Sequence, residues 1–476
     1  MGASRALEQT LDDILSAIKP SQENLLARNQ IIDELRTIVH SMNIFRGAIV
    51  EPFGSFVSGL STRWGDLDIS IELPQDTYIS TSKTQKKRTS VALLWALLLI
   101  LKALGRFNKL QFVQHVRVPI VKFKSRGISC DVSIDNPSGQ MKSKLLLWIK
   151  GMDERFGDMV LLVKEWAKAQ EINNPMCGSF NSYGLTLLVI FHFQTCVPAI
   201  LPPLKDIYPG DIASDLKVKG VRADVVRNIT ETCAANIAKW KSNRYRPVNR
   251  SSLSELSVSF FSKFSDISRK AKDLGICPYK GKWEALSSND AIFIEDPFEP
   301  PLNAAKTVKP SLMRKISEAF ETTYQRVSST YETEASLLPG LARPRVLKAL
   351  ARTPSTAGSY SGNHDTTNCS VLSNVASSSQ VQQQFQNMTL QPHGMIQKSP
   401  TGDDRIQSGY VPTLESETHP NKESETDSVD AEIGSESETD SVDAEIGPDQ
   451  PVEKRRPVCV LFIFLSLLFL FEFFLS

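Results

Sequence analysis

The stretch FGSFVSGLSTRWGDLDIS, residues 53–70, joins a Gly-Ser pair to two aspartates separated by one residue. On an extended strand Asp66 and Asp68 stand at i and i+2, so both carboxylates leave one face about 6.5 Å apart. Leu67, Ile69 and Ile71 then point the other way, into a core. A third carboxylate, Asp131, lies in ISCDVSI, with Cys130 and Val132 on the opposite face. If the two strands pair side by side, three carboxylates converge. Two of them at about 4 Å repel by about 4 kcal/mol at an effective dielectric of about 20. Such a cluster persists only if protonated or bridged by cations, and all-oxygen ligation selects Mg²⁺ or Mn²⁺. Gly54 and Ser55 suit that chemistry. Glycine permits close approach, and the turn offers N–H and hydroxyl groups to a phosphate on the metal. A two-metal site activates an attacking hydroxyl and stabilises a leaving pyrophosphate, with Asp131 helping to deprotonate a 3′-hydroxyl. The plainer reading is a glycine-marked turn before an amphipathic strand, and neither the GS pair nor the DxD pair decides alone.

The elements that must hold these residues are legible in the apolar pattern. Residues 5–42 carry helical periodicity through Leu7, Leu11, Ile14, Leu15 and Ile18, then Leu25, Ile31, Ile32, Leu35 and Ile38, with a break at Pro20. From 48 to 73 the pattern turns to short strands around a glycine-marked turn. VALLWALLLILKALG, residues 91–105, is too short for a membrane span and contains Lys102, so it reads as a buried helix closed by Gly105. LQFVQHVRVPIVKFK and GISCDVSIDN alternate with period two and predict strands. From 143 to about 320 long helical patterns dominate.

At 476 residues the chain has room for two or three domains, and 41% hydrophobic residues suffice for a real core. The net charge of +1 conceals an imbalance. Between Glu415 and Asp449 thirteen acidic residues face one lysine, a segment charge of −12, which leaves +13 on the rest. A basic body suits a polyanionic partner, though a solvated surface also accounts for much of it. Seven cysteines without a C-x-x-C pair, and no secretory signal at the start, indicate a reducing compartment with neither a disulfide frame nor a zinc site. The six histidines are widely spaced and form no metal motif.

Apolar periodicity fades after about residue 325, and Ser, Thr, Gln and Asn prevail from 353 to 420, which predicts disorder. ESETDSVDAEIG then occurs twice, at 423–434 and 436–447, a tandem acidic repeat with serines open to phosphorylation. The last 18 residues, CVLFIFLSLLFLFEFFLS, would span about 27 Å as a helix, and Lys454, Arg455 and Arg456 precede them. Two readings stand open: a C-terminal tail anchor, or an end that is not a normal part of the protein, such as translated non-coding sequence.

A Gly-Ser pair followed by DxD and a later strand aspartate resembles the polymerase-β-type nucleotidyltransferase superfamily. The resemblance continues through LVKEWAKAQEIN, SFNSYGLTLLVIFHFQ, SVSFFSKFSDI and IEDPFEPPLNAAKTV. Those segments resemble the helical-domain motifs of noncanonical poly(A) polymerases and terminal uridylyltransferases, over residues 5 to about 310. Within that family the chain is similar to the plant terminal uridylyltransferases that tail unmethylated microRNAs, through PFGSFVS, TRWGDLDIS, HFQTCVPAILPP and VNRSSLSEL.

The resemblance implies an α+β, two-domain nucleotidyltransferase. A small mixed β-sheet catalytic domain would span residues 45–139, and an all-helical poly(A)-polymerase-like domain 140–320, with helices 1–44 packed on it. The tail expected to be disordered covers 325–456, and 457–476 is a separate apolar segment, the candidate anchor. The resemblance also assigns nucleotide contacts. Lys164 and Lys168, at i and i+4, match a pair that grips the triphosphate, where two cations on one face neutralise phosphate charge; the plain alternative is a solvated lysine stripe. Ser182 and Tyr183 match the pair that holds phosphate and base, against a helix cap before a core aromatic. Asn136 matches a ribose contact, against a turn residue closing the strand. Asp296 matches an acid near the base edge, against a loop-to-helix cap. Six residues beyond it the uridylyltransferases often carry a histidine that favours uracil; here the residue is Leu302.

Implied substrates are UTP and RNA 3′ ends: microRNAs and small interfering RNAs lacking terminal 2′-O-methylation, and 5′ fragments of Argonaute-cleaved targets, tailed for decay. Argonaute complexes are the implied partners. The implied location is cytoplasm and nucleus, including RNA-processing bodies, with a membrane as partner only if the apolar end is an anchor. No recognition-motif sheet, KH loop or zinc knuckle occurs. Lys83, Lys86, Lys87 and Arg88 form a basic run between a strand and the buried helix, either an RNA-backbone contact or a solvated loop. Two rival functions remain: the same chemistry with ATP, favoured by Leu302, and an inactive RNA-binding adaptor, disfavoured by the intact carboxylates and lysines.

Overall fold

Two amphipathic helices open the chain. α1 (Gly2–Ile18) buries Leu7, Leu11, Ile14, Leu15 and Ile18 at helical spacing and stops ahead of Pro20. α2 (Gln22–Ser41) begins at Ser21, whose side chain accepts the Asn24 N–H while the Asn24 side chain accepts the Ser21 N–H. This computed structural model describes residues 2–74, 82–216, 222–285, 288–329 and 331–351, all within one compact unit.

Next comes a five-stranded sheet in the order β1-β2-β5-β4-β3. β1 (Ile49–Phe53) leads directly into α3 (Gly54–Ser58), and β2 (Leu67–Glu72) returns antiparallel to β1. α4 (Lys83–Leu104) ends at Gly105, whose φ of +67° supplies the left-handed stop. β3 (Asn108–Val113), β4 (Ile120–Ser125) and β5 (Ile128–Ile134) pair antiparallel in sequence, and β5 then runs parallel to β2. That parallel step needs a crossover, which α4, β3 and β4 provide. α4 packs on β3, β4 and β5. Leu67, Ile69 and Ile71 of β2 and Cys130 and Val132 of β5 are fully buried, as the alternation requires. The basic run does not lie ahead of the helix: α4 begins at Lys83 and takes it in, because Ser82 caps the Gln85 N–H.

The helical part follows. α5 (Pro137–Lys150) starts at the Asn136 cap with proline in its first turn. α6 (Glu154–Ala169), α7 (Ser182–Gln194), α8 (Ile212–Asp215), α9 (Arg222–Ser242), α10 (Leu253–Phe264) and α11 (Ile267–Lys270) come next. β6 (Leu274–Cys277) and β7 (Lys282–Ala285) form a hairpin, and α12 (Met313–Ser328), α13 (Glu334–Leu341) and α14 (Pro344–Leu350) close the described chain. α7 is buried nearly all round. Trp166 centres the core, with ring centroids 4.9 Å from Phe261 and 4.7 Å from Phe320, and its indole N–H donates to Thr323 Oγ1 at 2.8 Å.

Three expectations need correction. The helical part is not all-helical, since β6 and β7 pair within it. The boundary at 139/140 falls inside α5, which packs on α3 and β1 as well as α6. The tail does not begin at 325: α12 runs to Ser328, and α13 and α14 pack against α1. Both last helices are shorter than ten residues, and Pro339 interrupts the pattern of α13, so periodicity was too brief to read. The acidic repeats and the apolar end at 457–476 lie outside the described residues. Among the described residues no helix is long and apolar enough to cross a membrane.

Candidate active site

The register of the sheet sets the first wall of the site. Asp68 of β2 pairs side by side with Asp131 of β5, and Asp131 pairs in turn with Lys122 of β4. One row therefore carries two carboxylates and an ammonium. Lys122 Nζ lies 2.9 Å from Asp131 Oδ2, which offsets part of the repulsion between the two acids. The negative field reaches the opposite face as well. Burial raises the Cys130 thiol, and the charges of Asp131, Asp66 and Asp68 raise it further. Gly54 faces the same row with φ +71°, and an added Cβ would overlap Asp68 Oδ2 and lie 2.8 Å from its Cγ. Only glycine fits there.

Across a cleft of about 280 Å³ stand α5, α6, α7 and the loop through Glu299. Lys164 of α6 is 3% exposed and lines the cleft, its Nζ donating to Leu60 O at 3.3 Å. That burial removes the solvated-stripe reading for Lys164. Ser182 and Tyr183 open α7 behind the Asn181 cap, and both line the cleft. Asn173 Nδ2 donates to Ser182 Oγ at 3.1 Å. Tyr183 Oη donates to Asp296 Oδ1 at 2.8 Å, and Lys142 Nζ stands 5.0 Å from the centre of its ring.

Lys142 also ties two acids together, donating to Asp296 Oδ2 at 2.7 Å and Glu299 Oε2 at 2.8 Å. Arg117 and Ser138 complete the ring around Glu299 Oε1 at 2.7 and 2.9 Å. Burial alone would raise the Glu299 carboxyl, but the Lys142 charge and hydrogen bond, then Arg117 and Ser138, hold it down at about 2. An acid held ionised at neutral pH is thus locked to three donors at one end of the cleft.

Gly54, Ser55, Asp68, Asp131, Asn136, Lys164, Ser182 and Tyr183 all line this one cleft. Other expected residues stand elsewhere. Asp66 immediately precedes β2 and is 3% exposed, so it is not on an open cleft strand; its charge acts on buried Arg28. Lys168 is half-buried, one turn beyond Lys164, and outside the cleft lining. Asp296 is fully buried behind Tyr183, so it orients the ring and Lys142 instead of forming an edge of the cleft. Asn136 caps α5 through the Gly139 N–H at 3.0 Å, a helix cap in place of the plain expectation of a turn residue closing the strand, and it also lines the cleft. The Gly54 N–H donates to Ser143 Oγ at 2.7 Å, so that donor is turned to α5 and not to a phosphate. Leu302 closes the turn from Asp296 by its backbone and does not line the cleft. Lys86, Lys87 and Arg88 are exposed on the first turns of α4. Sequence reasoning missed Lys122, Lys142, Arg117 and Glu299. Glu299 had a signal, as a second acid three residues past Asp296; the three cations had none, because nothing local marks a lone lysine or arginine as inward-facing.

The fit to a dication is partial. Asp68 and Asp131 present carboxylate oxygens in one row, a donor set suited to a hard ion. Among the described residues no three acidic, histidine or cysteine side chains form a ready-made cluster.

Residues 7–150 match the family described as the central palm domain of mitochondrial-like poly(A) RNA polymerase. Protein HESO1 of Arabidopsis thaliana is 49% identical over 372 residues, covering 76% of this chain and 72% of that protein. Terminal uridylyltransferase cid1 of Schizosaccharomyces pombe is 26% identical over 326 residues, 65% of this chain and 75% of that protein. The crystal structure of mtPAP in complex with UTP superposes with a TM-score of 0.58 at 20% identity, over 72% of each chain, a likeness of fold. The α+β, two-part nucleotidyltransferase architecture is thereby shown, and divalent-metal use is general among such enzymes. The chain is an RNA nucleotidyltransferase and belongs to the noncanonical poly(A) polymerase and terminal uridylyltransferase family.

Proposed function

We propose that the chain is a template-independent RNA 3′-terminal uridylyltransferase, converting UTP and an RNA 3′-hydroxyl into uridylated RNA and pyrophosphate. The carrying observation is that Asp68 and Asp131, side by side, face Lys164, Ser182 and Tyr183 across one cleft. Lys164 offers a buried cation to the triphosphate, and Tyr183, fixed by Asp296, offers an aromatic face to the base. Asp131 accepts the proton of the attacking 3′-hydroxyl, with Lys122 Nζ 2.9 Å from its Oδ2. Asp68 and Asp131 are the oxygen ligands we assign to Mg²⁺ or Mn²⁺, which when bound would supply Lewis-acid stabilisation of the leaving pyrophosphate; Asp66, buried ahead of β2, is a ligand only by the family resemblance.

Uridine preference rests on the relatives and not on Leu302, which stands outside the cleft lining. The competing reading is the same transfer with ATP. Purified protein given a labelled RNA, Mn²⁺ and each nucleotide in turn tests the two. UTP should be used best; ATP outcompeting UTP removes the uridylyl reading. The substrates we assign are unmethylated microRNAs, small interfering RNAs and 5′ cleavage fragments, reached on Argonaute complexes, with the exposed Lys86, Lys87 and Arg88 assigned to the RNA backbone. The location we assign is cytoplasm and nucleus, including RNA-processing bodies. Fractionating cells that express the full chain and a version ending at Glu453 tests it; salt-resistant membrane pelleting of the full chain alone favours a tail anchor instead.

A further inference from the structure

Beyond the last helix legible in the sequence, α13 and α14 turn back onto α1, and α13 also packs on α6. Glu165, fully buried and adjacent to Lys164, accepts the Arg343 backbone N–H and Nε–H at 3.0 Å each and Nη2–H at 2.6 Å. Burial would raise the Glu165 carboxyl, but the Arg343 hydrogen bonds and charge lower it overall. Two residues on, the Arg345 guanidinium lies 4.2 Å from the Trp64 ring centre, with Arg343 at 6.0 Å and Arg63 at 5.6 Å. Trp64 belongs to the loop that delivers Asp66 and Asp68. The same loop is gripped from α6 by Lys164 through Leu60 O, and from α2 by Arg28, which donates to Gly65 O at 2.6 Å.

We propose that Arg343 and Arg345 are positioning residues: they clasp the Trp64 loop of the sheet to α6 and so fix the gap between the acidic row and Lys164. Neither arginine lines the cleft, so each acts through a neighbour, Arg343 through Glu165 and Arg345 through Trp64. The clasp depends on geometry more than on charge. A planar guanidinium stacks on an indole where an ammonium only approaches it. Misplacing a reacting group by about 1 Å costs on the order of 10²-fold in rate, so a small relaxation of the loop is enough to register in kcat.

The chemistry of this proposal rests on the uridylyltransferase reading, so its test has an arm independent of activity. In the full chain, Arg345→Ala, Arg345→Lys and Trp64→Phe are compared with the unchanged protein. Amide hydrogen exchange of residues 60–66, melting temperature, kcat and KM for UTP, and the MnCl₂ concentration at half-maximal rate are measured. Arg345→Ala should speed exchange in 60–66 and lower kcat by about 10-fold or more, while KM changes by less than about threefold and melting stays within a few degrees. The half-maximal MnCl₂ concentration should rise. Trp64→Phe, which keeps an aromatic face under the guanidinium, should recover most of the rate, and Arg345→Lys less. Unchanged exchange in Arg345→Ala overturns the clasp. Faster exchange with unchanged kcat and MnCl₂ dependence overturns positioning and leaves a purely structural contact. If the unchanged protein transfers no uridylate, the uridylyl reading fails, and the exchange arm together with the best nucleotide found still decides the clasp.

Discussion

Replacing Gly54 by alanine perturbs the site at one identifiable atom group. At φ +71° an L-residue costs about 1–2 kcal/mol in backbone strain. The added Cβ also stands 2.8 Å from Asp68 Cγ, so the carboxylate must retreat by roughly 0.7 Å or more to reach ordinary carbon contact. Gly105 separates the two effects. Its φ is +67°, and an added Cβ there meets nothing within 4 Å. Gly105→Ala therefore carries the strain without the collision. The strain alone should lower the melting temperature by about 1–3 °C in each variant, with Gly54→Ala losing somewhat more through the collision. Their activities should part. Displacing Asp68 on the scale of an ångström should lower kcat by about 10²-fold in Gly54→Ala, whereas Gly105→Ala should stay within about twofold. Single-nucleotide extension of a labelled RNA with UTP and Mn²⁺, under saturating nucleotide, reads the difference. Gly54→Ala keeping kcat within about threefold, or Gly105→Ala falling as far, would refute the reasoning.

Glu299 gives a pH test. Its carboxyl falls from the ordinary 4.5 to about 2 in the fold. A depressed acid stabilises the fold above its unfolded pKa and loses that contribution as pH falls towards the folded one, an effect of about 3 kcal/mol. The stability gap between unchanged protein and Glu299→Gln, read by urea melts, should be full at neutral pH and narrow between about pH 5 and pH 3; a gap constant with pH would show that the charge of Glu299 carries no stability. Lys164→Ala should raise KM for UTP by about tenfold, because a buried cation at the cleft is lost, while Lys168→Ala should change it by less than about threefold. Equal effects in steady-state kinetics would restore the reading in which both lysines grip the phosphates.

The sequence by itself determined the elements and the acids. Strand period two placed Asp68 and Asp131 opposite apolar neighbours, and helical spacing located α1, α2 and the body of α4, because burial against water writes its period into the chain. It also carried the family through the GS–DxD–D order and the helical motifs. Tertiary structure alone decided which of these residues meet. The parallel β2–β5 register joins Asp68 to Asp131 and adds Lys122, while Asp66 is left buried ahead of the strand. The locking of Glu299 by Lys142, Arg117 and Ser138 spans separations of 157, 182 and 161 residues, which no local pattern can signal. The return of Arg343 to Glu165, 178 residues away, is of the same kind. Local periodicity reports only whether a side chain faces inward; which partner it finds there is set by the packing of distant elements, and charge pairs across such distances leave no period to read.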